Sequence, residues 1–432
     1  MVKQTKKEKY TIKALKRYWQ QSEELIEQLP FPRQEKPIKE TLPPLMRLIE
    51  LPEWAQTVGI SGKLLVPAWT IGKNEGPEWQ RVDWLSAAFW YLNGNAERAF
   101  EEQYGSIHSY SFKLKGWDSR IWERAWVNRI ALFLRCWAAR TLSQSEDRLF
   151  GSLPVAEIVL THDVDAVSKT MAIRFKQTAF HSFNLVRNLS QGEVLKAKNK
   201  LYKAVRFMMS FDDYWCFDKI IKLEEKYNVR SQFNFYGGQG GWQRTLKQML
   251  LDPAYNVQQP KLNQQLQRLH NGGWTIGLHQ SYDAWDNANS MWYEKERVEQ
   301  AVDIPVKVCR QHWLRFGWQK TWQAQQDAGF ELDTTLGFND RAGFRHSAAL
   351  LHHPWNNDSE MKLSVLPMVL MDSHLYDYQD LEEQERQQQI DYWLDEIKAV
   401  GGTATIIWHQ RVMSQDYGWE SGYNDLLSKI KD

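Results

Sequence analysis

Short apolar runs recur along the last two-thirds of the chain, each about the length of a strand and each stopped by polar residues. Ile158 to Leu160, Val229 to Phe235, Trp274 to Leu278 and Thr405 to Trp408 are the clearest. Runs of this length, bounded by turn residues, read as buried strands, and the spacers between them are long enough for helices. Strands alternating with helices predict an α/β chain with a parallel sheet. The residues at the ends of these runs are more telling. The first run leads into His162-Asp163-Val164-Asp165, the third into His279 and the last into His409. Two further segments carry similar chemistry: Cys309-Arg310-Gln311-His312, and Leu332-Asp333 running on to Gly343-Phe344-Arg345. Side chains alternate along a strand, so Asp163 and Asp165 project the same way from a strand's C-terminal end. In barrels built from βα units that end carries the catalytic residues. A bland reading exists for the first segment alone, a turn in which an Asp caps the next helix. Five such segments in one chain argue against it.

The pattern before residue 150 differs. Lys13 to Gln28 is charged and helix-prone, and a connector with Pro30, Pro32, Pro37, Pro43 and Pro44 comes next. A strand is expected at Lys63 to Pro67, and helices at Asp83 to Leu92 and Ser119 to Leu142. This N-terminal α/β accessory module, 1–150, holds no catalytic motif, and its expected role is to pack against the remainder, 151–432. An insertion at about 166–215 is basic, with Arg174, Lys176, Arg187, Lys196, Lys198, Lys200, Lys203 and Arg206 among Phe and Leu. It predicts two helices broken near Asn188 to Gly192. Such a pair is either an ordinary solvated face or a peripheral contact with an anionic membrane. The glycines of Tyr236-Gly237-Gly238-Gln239-Gly240-Gly241 have no Lys-Ser/Thr pair or dinucleotide fingerprint beside them, and read as a flexible rim loop.

Composition narrows the class. The chain has 432 residues, 43% hydrophobic and 25% charged, in the range of an ordinary globular protein with two or three domains. A net charge of +1 argues against a nucleic-acid partner. Cys136, Cys216 and Cys309 form neither a zinc signature nor a disulfide framework, which suits a reducing compartment. The basic N-terminus is followed by no apolar stretch of a secretory signal, and no run of about 18 apolar residues occurs; the expected location is cytoplasmic. Of the 22 tryptophans, Trp285, Trp313 and Trp408 stand near candidate chemistry, where an exposed ring would stack on a sugar.

Taken in order, these segments resemble the polysaccharide deacetylase family with its NodB-homology domain. The likeness is strongest to a bacterial branch that reads His-Asp-Val-Asp, then Gly-Leu-His-x-Ser-Tyr, then Arg-x-His-x-Leu-Arg-Phe. It covers about residues 155–415. The resemblance implies a distorted (β/α) barrel preceded by a helix-containing module. It implies hydrolysis of the acetyl amide of an N-acetylated sugar or glycan intermediate of surface polysaccharide biosynthesis. It also implies a divalent ion, Zn2+ first, with Co2+, Ni2+ or Mn2+ as alternatives. By the same resemblance Asp163 is the general base, His409 the general acid and Arg310 the residue that orients the base. Asp165 and His279 are metal ligands. Where the family has its second metal histidine this chain has Asp283, four residues after His279. A helical turn there would put both on one point, and imidazole with carboxylate serves Zn2+; the other reading of Asp283 is a solvated helix residue. His312, Arg315, Asp333, Arg345 and Trp408 are candidates for substrate contact, with Arg345 equally suited to a buried ion pair. In a barrel the last strand closes beside the first, which would bring His409 next to Asp163. Two rivals stand beside this reading. One is a catalytically inactive, glycan-binding relative that lost its metal, with Asp283 as its support. The other is a glycosidase, whose paired carboxylates need wider separation than Asp163 and Asp165 offer.

Overall fold

The computed structural model of the protein describes residues 5–20, 22–34, 39–240, 244–379 and 381–431. Two antiparallel strands, β1 (Met46–Glu50) and β2 (Lys63–Pro67), belong to the N-terminal segment. Next in the chain are β3 (Glu157–Val164), β4 (Gln232–Tyr236), β5 (Thr275–Gln280), β6 (Val308–Gln311) and β7 (Leu332–Asp333). A short antiparallel pair, β8 (Trp355–Asn356) and β9 (Ser359–Glu360), precedes β10 (Ser364–Val365), β11 (Met368–Met371) and β12 (Thr403–Ile407).

Eight of these strands form one parallel sheet in the order β10-β7-β6-β5-β4-β3-β12-β11. The strands at its two ends, β10 and β11, are separated in sequence only by Leu366 and Pro367. A sheet whose opposite edges are joined by two residues cannot lie open; it curls until the edges meet. The chain over 364–371 closes the ring by changing partners. Leu366 donates its N–H to the Asp333 carbonyl at 2.9 Å, and the Pro367 carbonyl accepts from Thr405 at 2.8 Å. Pro367 has no N–H to lose at this switch. The architecture is α/β, a distorted barrel. Strands β4, β6, β11 and β12 are buried along their whole length, as expected of parallel strands covered on both faces.

The N-terminal segment packs directly on this ring. A continuous apolar core runs from Leu15 and Trp19 through Trp84 and Phe133 to Leu160, Ile406 and Trp408. Hydrogen bonds stitch the same boundary: the Tyr18 hydroxyl donates to the Val400 carbonyl at 2.7 Å, and Arg129 clasps Glu396 through two bonds of 2.8 and 2.7 Å. The expected strand at 63–67 is present; its partner β1 was not expected. Helix Trp84–Leu92 starts on an Asp83 cap and is buried nearly all round rather than on one face. The expected helix at 119–142 is split, because Arg124 is extended between Arg120–Glu123 and Trp126–Leu142. Lys13 to Gln28 is likewise no single helix: Lys6–Ala14 ends just inside it, and a 3-10 turn at Lys16–Tyr18 and the short helix Glu23–Glu27 lie within it.

In the insertion, helices Met171–Ser190 and Val194–Met209 meet at the expected break. The glycine segment is not a flexible rim loop over its described part. Gly237 and Gly238 are buried, and a Cβ on Gly237 would strike the backbone of Glu294. Gly241 lies outside the described residues. Among those residues, no helix is long and apolar enough to cross a membrane.

Candidate active site

The side chains that face into the ring at its C-terminal mouth come from consecutive strands. On β3, Thr161 and Asp163 point inward while His162 points out. Asp163 is matched in register with Asn234 of β4, whose amide donates to Asp163 Oδ1 at 2.8 Å. Asn234 lies across Gly277 of β5, where a Cβ would collide with its Oδ1. On β6, Arg310 is fully buried and holds four groups at once. Its guanidinium donates to the Thr334 carbonyl at 2.9 Å, to Thr161 Oγ1 at 2.5 Å and to Thr405 Oγ1 at 3.2 Å, and it stands 3.4 Å from Asp163 Oδ1. Burial pushes the Asp163 carboxyl up, but Arg310, His279, His409 and the Asn234 bond outweigh it and hold the group well below the usual carboxylate range.

A second cluster surrounds Asp165, just beyond the end of β3. Asp165 Oδ1 lies 3.2 Å from His279 Nε2 and 3.5 Å from His312 Nε2, and among the described residues no hydrogen-bond donor reaches it. Ligand atoms of these three residues all fall within 4.8 Å of one another. The other nitrogens explain the arrangement. His279 Nδ1 faces the Arg310 carbonyl at 3.2 Å, and His312 Nδ1 faces the Asp252 carboxylate at 3.6 Å. An Nδ1–H of His279 placed to donate to that carbonyl leaves Nε2 toward Asp165, the arrangement that metal-ligating histidines adopt, and His312 turns its Nε2 to the same oxygen. Burial, opposed by Asp163, lowers His279 to about 3, so its ring is neutral at ordinary pH. A carboxylate and two imidazoles converging on one point fit a divalent cation. One internal cation approaches from the side: Arg411 donates to Asp165 Oδ2.

His409 comes after β12 and is fixed by Asp372, the first residue beyond β11. Asp372 accepts from the His409 backbone N–H at 2.6 Å and lies 2.8 Å from its Nδ1. Nε2 is left toward the cluster, 3.7 Å from Asp165 Oδ2. Burial lowers the pKa of this ring, yet Asp372 and then Asp163 overcome it and the net shift is upward. Leu314, Met368, Met371 and Ile407 form a small apolar group apart from the main core. Leu314 reaches it through two consecutive left-handed residues, Trp313 at φ 57° and Leu314 at φ 47°. Strain of that kind is kept where the surroundings enforce it; here Asn339 donates to the Trp313 carbonyl and Ser109 to that of Leu314.

Several sequence candidates fall elsewhere. Asp283 is not in the cluster. The chain turns after β5 instead of continuing as a helix, and the carboxylate is half exposed, bound to Lys247 at 2.6 Å and Arg315 at 2.7 Å. His312, expected to touch substrate, stands with Asp165 and His279 in the place where Asp283 was expected. Arg315 is spent on Asp283 and the Tyr282 carbonyl. Asp333 points out of the ring to Trp322, Gln325 and Thr335. Arg345 is a buried structural ion pair with Glu97 at 2.8 Å. Trp408 is buried against Tyr376 and Tyr423 and offers no face to a sugar. Trp285 and Trp313 remain partly exposed. Sequence reasoning missed Asn234, Asp252, Asp372 and Arg411. Asp372 had the same signature as the others, an acid directly after an apolar strand, and Asn234 is a polar residue inside an apolar run.

No protein-family model matches the chain, and no curated protein matches it in sequence. Solved structures resemble it distantly. A Mycobacterium smegmatis protein assigned as a polysaccharide deacetylase matches at TM-score 0.39 and 13% identity, over 65% of this chain and 87% of that one. A polysaccharide deacetylase from Bacillus cereus matches at 0.32 and 10%, over 64% and 87%. A CE4-family pseudoenzyme from Bacillus anthracis matches at 0.32 and 9%, over 64% and 61%. Likeness this loose assigns neither family nor activity, and both questions return to the residues in the ring.

Proposed function

We propose that the protein is a metal-dependent deacetylase of the polysaccharide deacetylase type, removing an acetyl group from an N-acetylated sugar or glycan intermediate. The observation that carries this reading is the convergence of Asp165, His279 and His312 beside an independently held Asp163 and His409. A divalent ion held by the first three would acidify a bound water and polarise an acyl carbonyl. Asp163, kept ionised by Arg310, is the acceptor for a proton from the attacking water. His409 holds a proton on Nδ1 through Asp372 and turns Nε2 to the site. Its raised pKa suits donation to a departing amine, which leaves poorly as an anion.

One contact favours the alternative, a glycan-binding relative without metal: Arg411 already supplies a positive charge to Asp165. Acetate release from N-acetylated sugars decides between them, measured after chelation and again after adding back Zn2+ or Co2+. Activity that vanishes and returns with metal supports the hydrolase. No metal uptake and no acetate release would leave the binding protein.

A further inference from the structure

In the hairpin formed by Met171–Ser190 and Val194–Met209 the first helix is built inside out, and both helices turn an apolar stripe to solvent. An ordinary surface helix turns apolar residues inward and polar ones to water. Here the first helix buries His181, Asn184 and Asn188. Its exposed side carries Met171, Phe175, Phe183 and Val186, spaced by four, eight and three residues on one face. The second helix buries Ala197, Ala204 and Phe207 and exposes Leu195, Tyr202, Val205 and Met209, again on one face. Phe183 is 69% exposed, Leu195 84%, and Phe211 just beyond the hairpin 94%. Single exposed apolar residues need no explanation, but stripes on both arms of one hairpin mark a contact surface.

The charge says what covers it. Between residues 171 and 209 there are eight Lys or Arg and one acid, Glu193. A second copy would bring the same excess of positive charge against the first, and nucleic acid offers nothing to an apolar stripe. An anionic bilayer satisfies both features, with acyl chains for the stripe and headgroups for the lysines that flank it. The hairpin is also anchored at the ring's mouth. Lys169 pairs with Asp416 at 2.5 Å, and Arg206 donates to the Gln415 carbonyl at 2.6 Å. Both acceptors lie a few residues beyond His409 and Arg411.

We propose that this hairpin docks the protein on an anionic phospholipid bilayer, with the mouth of the ring beside the lipid surface. Docking of this kind holds whatever reaction the mouth performs. Vesicle flotation with the full chain tests it, comparing phosphatidylcholine alone with phosphatidylcholine containing phosphatidylglycerol. The wild type should float only with the anionic vesicles and dissociate as salt is raised. Phe183→Glu with Leu195→Glu should weaken binding by about tenfold or more, and Lys198→Glu with Lys200→Glu by a similar factor. All four side chains lie on the hairpin surface, so the melting temperature should not move. Failure of the wild type to float, equal flotation with neutral vesicles, or flotation of the double-Glu variant as well as wild type would overturn the proposal. So would a dimer in light scattering that Phe183→Glu/Leu195→Glu converts to monomer without any vesicle binding, since a second copy would then cover the stripe.

Discussion

Strand β3 separates two clusters of buried polar groups that differ in one respect. On its outer side His162 lies 2.8 Å from Glu224, and Glu224 also accepts from Tyr423 at 2.6 Å, from Trp274 at 2.5 Å and from the Ser231 backbone at 3.1 Å. The other ring nitrogen of His162 meets the Trp408 carbonyl at 2.5 Å. Both ring nitrogens of His162 and both oxygens of Glu224 are thus engaged. On the inner side Asp165 Oδ1 faces His279 Nε2 and His312 Nε2 and accepts no hydrogen bond among the described residues, while Arg411 takes the other oxygen. A well-bonded network explains itself as structure; a carboxylate oxygen that accepts no hydrogen bond where two imidazoles meet is a place for a cation. Two buried histidines, His162 and His279, thus stand on opposite sides of that distinction.

The sharpest way to break the comparison is His279→Ala. If the inner cluster is a ligand site, metal stoichiometry in protein purified without chelator should fall to background. Affinity should drop by more than the roughly 10–100-fold typical of losing an outer partner of a ligand. Unchanged metal content would place the ion elsewhere.

Asp163→Asn divides the inner side further. Asp163 is held by Arg310 and Asn234 rather than by the histidines. The variant should therefore keep its metal and lose roughly 10²–10⁴-fold in acetate-release rate, the usual worth of a general base. Asp165→Asn should lose metal. Equal metal loss in both would merge the two carboxylates into one ligand set.

Strand geometry decides how much of this was legible beforehand. Asp163, Asp165, His279, Arg310 and His409 announced themselves because each stands at or near the end of an apolar run, and parallel strands gather such ends at one mouth. Asp333 and Arg345 carried a similar signal and went elsewhere. β7 is only two residues long, and which way its Asp turns depends on Trp322 and Gln325, which no local pattern reveals. The choice between Asp283 and His312 depended on whether a helix continues past Gln280. The sequence allowed it and the packing of Tyr282 and Ser281 against Asp252 and Glu294 forbids it.

On the outer side, Glu224→Gln should lower stability by about 3 kcal/mol, because partners of a buried ionised group are left mismatched. Metal content should stay unchanged. Calorimetry with metal analysis on one sample checks both. The pH dependence is set by the sign of the shift. Burial raises the Glu224 carboxyl, but bonds from His162, Tyr423 and Ser231 outweigh it and hold it below its ordinary 4.5. Its contribution is therefore present above pH 4.5 and lost as pH falls through the folded value. The wild type should lose stability over that acidic range, and Glu224→Gln should lose less of it. A variant that lost metal as well would show the two clusters to be coupled through β3.

The smallest expected effect is the one that most directly tests the ligand set. Asp283→Ala removes a carboxylate in the position where the deacetylase resemblance expects a metal ligand. Its side chain is 53% exposed and shared between Lys247 and Arg315. An exposed pair of this kind contributes about 0–1 kcal/mol, screened further by salt. The change should leave metal stoichiometry and acetate release within about twofold of wild type, and shift the melting temperature by a degree or so at most. His312→Ala, a residue of the converging cluster, should by contrast lose metal as His279→Ala does. Should Asp283→Ala strip the ion while His312→Ala retains it, the turn after β5 must rearrange on metal binding, and the ligand set would be that expected from sequence spacing after all.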